Sequence, residues 1–126
     1  MKTTLKKFIR LAVLGVALTL QSLPTWAGST YIPEVQVGSG FAHGSMVGAR
    51  YSSDTLQHIT CIAHNPAVTC SARDKTGKYF VCNRIDAEWA AVVRSITDSS
   101  NLHFAAAKGT ATCNYLRVDN LSYHLK

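Results

Sequence analysis

The sequence predicts an α+β domain: a small antiparallel sheet of about five strands with one helix packed across it, braced by two disulfides. Three observations carry this reading. Residues 58–73 alternate with period two on both sides of an Asn-Pro pair. Residues 86–98 carry one apolar stripe at helical spacing. All four cysteines follow a leader of export type, and an even count in a small exported domain reads first as two disulfides.

The leader is residues 1–27. Lys2, Lys6, Lys7 and Arg10 form a basic start, "LAVLGVALTL" an apolar core, and Thr25 and Ala27 the small residues of a cleavage site after Ala27. The apolar run is much shorter than the ~20 residues of a spanning helix, so no membrane span is expected in the mature form. No cysteine follows the cleavage site, which argues against a lipoprotein. Of 13 Lys and Arg, four lie in the leader. The rest leave nine against seven acidic residues, a balance of +2 rather than +6. Nucleic acid is therefore not an expected partner, because phosphate binding needs a concentrated basic face.

Residues 28–44 are rich in glycine and small polar residues and read as a flexible arm; Pro33 limits "YIPEVQV" to an edge strand. The domain proper is then 45–126. "SMVGARYS" (45–52) reads as its first firm strand, with Gly48 marking a bulge or a close backbone approach. From Ile59 the alternate residues Ile59, Cys61, Ala63, Val68, Cys70 and Ala72 are all apolar, while the intervening His58, Thr60, Ile62, Thr69, Ser71 and Arg73 are mostly polar. That is a half-buried hairpin turning at Asn65-Pro66, which sets Cys61 opposite Cys70. "RDKTGK" makes a second turn with a glycine bulge, setting Cys70 opposite Cys82 and Ala72 opposite Phe80. In the helix at 86–98, Asp86 caps the first turn and Glu88 suits its positive end. Trp89, Val92, Val93 and Ile96 form the stripe that faces the sheet. "NLHFAAA" and "ATCNYLRV" make a last hairpin around Lys108-Gly109, and "SYHLK" adds a short edge piece.

His58, Cys61, His64 and Cys70 invite a metal reading by count. The alternation opposes it: the cysteines point inward, His58 outward, and His64 sits in the turn, whereas tetrahedral ligands must converge on one point. No metal and no cofactor is expected. Pairing Cys61 with Cys82 would skip a strand, a gap of ~9–10 Å that no disulfide spans. Two pairings remain: Cys61–Cys70 with Cys82–Cys113, which is preferred, or Cys70–Cys82 with Cys61–Cys113. Neither leaves a thiol for a cysteine nucleophile.

The glycines at 38, 40, 44 and 48 lack the Lys-Ser/Thr and the following helix of a phosphate loop. The acidic residues look like turn and cap residues rather than a glycosidase pair, and no nucleophile elbow marks a serine. His58 and His103 fall on outward strand positions, where they could meet on one sheet face as an acid–base pair. Arg50 and Tyr51 are the candidate recognition residues, because Arg and Tyr combine broad apolar contact with directed polar groups.

The motifs "GARYSSDTLQHITC", "VTCSARDKTGKYFVC", "RSITDSSNLHF" and "TCNYLRVDNLSY" resemble those of small exported bacterial proteins of unknown function. The resemblance runs from Gly48 onward, includes all four cysteines and implies one exported domain. It carries no catalytic residue with it. The expectation is an exported, periplasmic or extracellular, non-catalytic binding domain, inhibitor-like in build, acting on a protein or glycan. A small histidine-dependent, nuclease-like hydrolase using His58 and His103 is the first alternative. An envelope-associated structural protein is the second.

Overall fold

The computed structural model describes residues 32–120. The expected leader, the start of the arm, His124 and the "SYHLK" edge piece lie outside the described residues. The described chain runs β1 (Gln36–Val37), β2 (Phe41–Ser45), α1 (Met46–Arg50), β3 (His58–His64), β4 (Ala67–Arg73), β5 (Tyr79–Ile85), α2 (Ala87–Arg94), β6 (Ser100–Ala106) and β7 (Cys113–Asn120). This is an α+β domain with two antiparallel sheets and two disulfides, Cys61–Cys70 and Cys82–Cys113.

The three-stranded sheet has the order β3-β4-β5 and follows the alternation. Cys61 pairs with Cys70, Cys70 with Cys82 and Ala72 with Phe80, the registers that the two turns imply. The β3–β4 turn holds a cis Asn65–Pro66 peptide. In the β4–β5 turn, Gly77 takes a φ of +86°, open to glycine at no steric cost. The Asp74 carboxylate accepts from the backbone N–H of Thr76 and Lys78 and from the Thr76 hydroxyl. That hydroxyl is the first cause that holds Asp74 below the usual carboxylate range.

The four-stranded sheet, β1-β2-β6-β7, differs from the sequence expectation of one five-stranded sheet preceded by an arm. Residues of the expected arm supply β1 and β2, and β2 pairs along its whole length with β6. The arm reading fails because its glycines serve turns and close contacts. Gly38 and Gly40 make the β1–β2 turn, with Gly38 N–H donating to the Phe41 carbonyl at 2.9 Å and Gly40 at φ +83°. A Cβ on Gly44 would sit 2.8 Å from the Val35 Cα. Val35, Val37 and Ala42 are all buried. The rest of the sheet's apolar content comes from β6 (Leu102, Phe104) and β7 (Cys113, Leu116, Val118), more than fifty residues along the chain, which no local pattern announces.

The expected strand at 45–52 is instead the short helix α1. Ser45 caps it, its hydroxyl oxygen accepting from the Gly48 N–H at 3.1 Å. Gly48 does mark a close backbone approach: a Cβ there would meet the Pro33 carbonyl oxygen at 2.7 Å. The alternation of Val47, Ala49 and Tyr51 suits a strand, but the cap and that contact fix one turn of helix.

Helix α2 starts as expected. Asp86 accepts from the N–H groups of Glu88 (3.0 Å) and Trp89 (3.2 Å). These bonds, the one from Trp89 first, and Arg84 beside it hold the Asp86 carboxyl below its ordinary value. The helix ends at Arg94 rather than Asp98, because the chain must turn into β6; Thr97 N–H donates to the Ser100 hydroxyl at 2.8 Å. Its buried face is also rotated. Ala90 and Val93 are buried, whereas Val92, expected to face the sheet, is 42% exposed. Small Ala90 admits close approach to the core, and the Trp89 ring lies 4.7 Å from the Arg84 guanidinium carbon.

The inner faces of both sheets and the stripe of α2 meet in one core. Phe80 and Phe104 stack across it at 5.8 Å. Cys82–Cys113 ties β5 to β7 and hence one sheet to the other. Beside it, Asn83 N–H donates to the Ala111 carbonyl at 2.8 Å. Arg84 closes the same corner, its guanidinium reaching the Cys113 carbonyl and the Asp86 carboxylate, both at 3.1 Å.

Candidate functional site

Two surface regions gather the residue types that do chemistry. The first surrounds α1. Here a cavity of about 360 Å³ is lined by Met46, Ala49 and Ile59 at its apolar base and by Arg50, Tyr51 and His58 nearer solvent. Asp98 also lines it, 3.4 Å from Arg50; the two side chains are 66% and 89% exposed. The two residues expected to recognise a partner thus lie beside one of the expected acid–base histidines. Tyr51 is 66% exposed and also lines a second cavity of about 400 Å³.

That second cavity is more polar. Glu34 accepts from Lys75 at 2.8 Å, and the hydrogen bond and charge of Glu34 raise the Lys75 pKa. Asp54 accepts from the Gln57 side chain first, then from the backbone N–H of Gln57 and Leu56, and its pKa is lowered accordingly. Gln57 also accepts from the Val35 N–H at 2.9 Å. It therefore fixes the 52–57 loop to the β1 segment and holds both cavities in place.

The second region is the outer face of the four-stranded sheet, and it holds His103. His58 and His103 do not meet, because β3 and β6 belong to different sheets. His58 lies opposite Arg73, whose neighbour in register is Tyr79; the His58 and Tyr79 rings are 5.9 Å apart. His103 instead faces His43 across β2 and β6, with ring centroids 5.7 Å apart. Phe41 and Tyr115 complete the patch at 6.2 and 5.1 Å from His103. Partial burial first, and then the charges of His43 and Arg117, lower the His103 pKa from 6.5; Asp119 acts in the opposite sense.

His43 and Arg117 were not singled out in the sequence. His43 stands in a glycine-rich stretch, where the signal was the alternation Phe41-x-His43-x-Ser45 around small Ala42 and Gly44. Asp98 was read as a helix end. Among the described residues, no group of three or more His, Cys, Asp or Glu could hold a metal ion. No cysteine is free, and no described helix is long and apolar enough to cross a membrane. No protein-family model, curated protein or solved structure matches the chain.

Proposed function

We propose that this chain is an exported, non-catalytic interaction domain that grips a protein partner at the cavity around Tyr51. One observation carries the reading: Arg50, Tyr51 and His58, three residues that each suit recognition, border a single cavity with an apolar base. A partner side chain of apolar character fills the base over Met46 and Ile59. A carboxylate beside it meets Arg50 and His58. The Arg50–Asp98 pair is long and exposed at both ends, the class of surface pair that contributes little to stability. Arg50 can exchange Asp98 for a partner carboxylate at small cost. The hydrolase alternative has no shared site for His58 with His103.

The test is site-specific photocrosslinking in cells that export the protein. A photoreactive residue at position 51 is expected to give one discrete protein adduct, lost when Arg50→Glu is added. The same residue at position 108, on the β6–β7 turn, serves as control. Identical adducts at both positions, or none at 51 in folded protein, would sink the proposal. Once the partner is in hand, Tyr51→Ala should weaken binding by about 2 kcal/mol, the scale of a central aromatic contact.

A further inference from the structure

The outer face of the four-stranded sheet is laid out in two rows that cross its strands. Strand pairing sets Phe41 opposite Ala105, and Ala105 opposite Tyr115. Two residues along each strand, the next row is Gln36, His43, His103 and Arg117. Ala42, Leu102 and Phe104 are buried on the inner face, so the members of both rows point outward.

The first row makes a trough. Phe41 and Tyr115 are 39% and 42% exposed and stand two strands apart, a separation of about 9–10 Å. Ala105 between them contributes only a methyl group. The Phe41 ring leans over Gly38, and small Ala105 leaves open sheet surface between it and Tyr115, on which a flat ring can lie against an aromatic neighbour. His103 stands at one end of it, in ring contact with both Phe41 and Tyr115.

The second row carries the charge. His43 and His103 offer imidazole N–H donors, and Arg117 a guanidinium. Asp119 accepts from the Arg117 Nε at 2.9 Å, which orients the guanidinium and raises its pKa. A metal dication is disfavoured here by Arg117. An anion is favoured: its charge supplies what a protonated His103 lacks among His43 and Arg117. The titratable groups facing His103 are His43 from β2 and Tyr115, Arg117 and Asp119 from β7. Neighbouring rows are ~6.8 Å apart along the strands, a gap that a ribose bridges.

We propose that this face binds a nucleotide unit, with the base in the trough over Ala105 and the phosphate on the His43–His103–Arg117 row. Aromatic rings on a sheet surface beside cationic groups are the means by which sheet proteins stack bases and hold phosphates. The +2 balance of the mature chain argues against a long basic track, and one nucleotide needs only this local row. The proposal is independent of the cavity at Tyr51.

The experiment is an NMR titration of the oxidised protein with adenosine monophosphate, adenosine, inorganic phosphate and a short single-stranded oligonucleotide. Adenosine monophosphate should shift the His43 and His103 ring resonances saturably. Adenosine and phosphate alone should each bind about tenfold more weakly. Affinity should rise from about pH 7.5 to about pH 6.5, where His103 begins to take up a proton and the phosphate still keeps most of its second charge. Tyr115→Ala and Arg117→Gln, both at exposed positions, should each weaken binding at least about fivefold. His58→Ala, on the other sheet, should leave it unchanged. An oligonucleotide that binds more tightly through the same rings identifies single strands as the source. Equal or weaker binding identifies the free nucleotide. Absence of saturable shifts at ~10 mM and about pH 6.5, equal affinity for adenosine, or indifference to both Tyr115→Ala and Arg117→Gln would overturn the proposal.

Discussion

The two sheets are built in opposite ways. In the three-stranded sheet every strand pairs with its neighbour in the chain, and its disulfide, Cys61–Cys70, joins two residues already opposite each other. The four-stranded sheet joins β2 to β6 across the whole of the other sheet and α2, and its tie, Cys82–Cys113, leads out of the sheet to β5. The first sheet can organise from local turns. The second meets a larger loop-closure cost before any of its pairs contribute. Both candidate sites depend on this second sheet: the histidine face is its surface, and α1 grows directly out of β2.

The comparison can be broken hardest at Phe104, which is fully buried and stacks on Phe80 where the sheets meet. Phe104→Ala should cost about 3–5 kcal/mol in urea unfolding, as for other buried aromatic truncations. A loss under about 1 kcal/mol would mean that the sheets do not share a core.

The disulfides come next. Replacing Cys82 and Cys113 together by serine removes a link of sequence separation 31 and should cost about 3–4 kcal/mol. The same change at Cys61 and Cys70, separation 9, should cost about 2–3 kcal/mol. The order matters more than the values. In hydrogen exchange, the first pair of changes should loosen β6 and β7, and the second only β3 and β4. The reverse pattern would contradict the division of labour.

Asp86→Ala removes the cap of α2 and should cost about 1 kcal/mol, with β6 and β7 unaffected in the same exchange experiment. The smallest effect concerns acid. The folded-state pKa of His103 lies below 6.5, so the unfolded chain binds the extra proton first. His103 therefore imposes no penalty above about pH 6.5, and stability falls as pH drops from there through its folded pKa. His103→Gln should flatten that part of the stability profile, and a slope that survives the change would assign it elsewhere.

The legibility of the sequence follows the same split. Ile59, Cys61, Ala63, Val68, Cys70 and Ala72 alternate within one hairpin, so their face, register and disulfide geometry can be read directly. Trp89 and Val93 announce α2, although only packing shows that Ala90 rather than Val92 turns inward. The β2–β6 pairing leaves no local trace: "FAHGS" is too short and glycine-rich to read as a strand until "SNLHFAA" lies beside it. His43 was hidden for the same reason, and so was the His43–His103 pair. Arg50 and Tyr51 could be picked by residue type. The cavity around them is the product of α1, whose cap and close contact with Pro33 override an alternation that suits a strand.

One bond has a consequence for how copies of the chain meet. Beyond β5 the three-stranded sheet has an open margin, and the Asn83 N–H donating to Ala111 occupies part of it. Nearby, Ile85 is 81% exposed. An unguarded strand margin with an apolar residue on it invites strand-to-strand polymerisation. The oxidised link from Cys82 to Cys113 keeps residues 111–112 in place over that margin. Closure of this disulfide therefore acts as a safeguard against self-association as well as a brace.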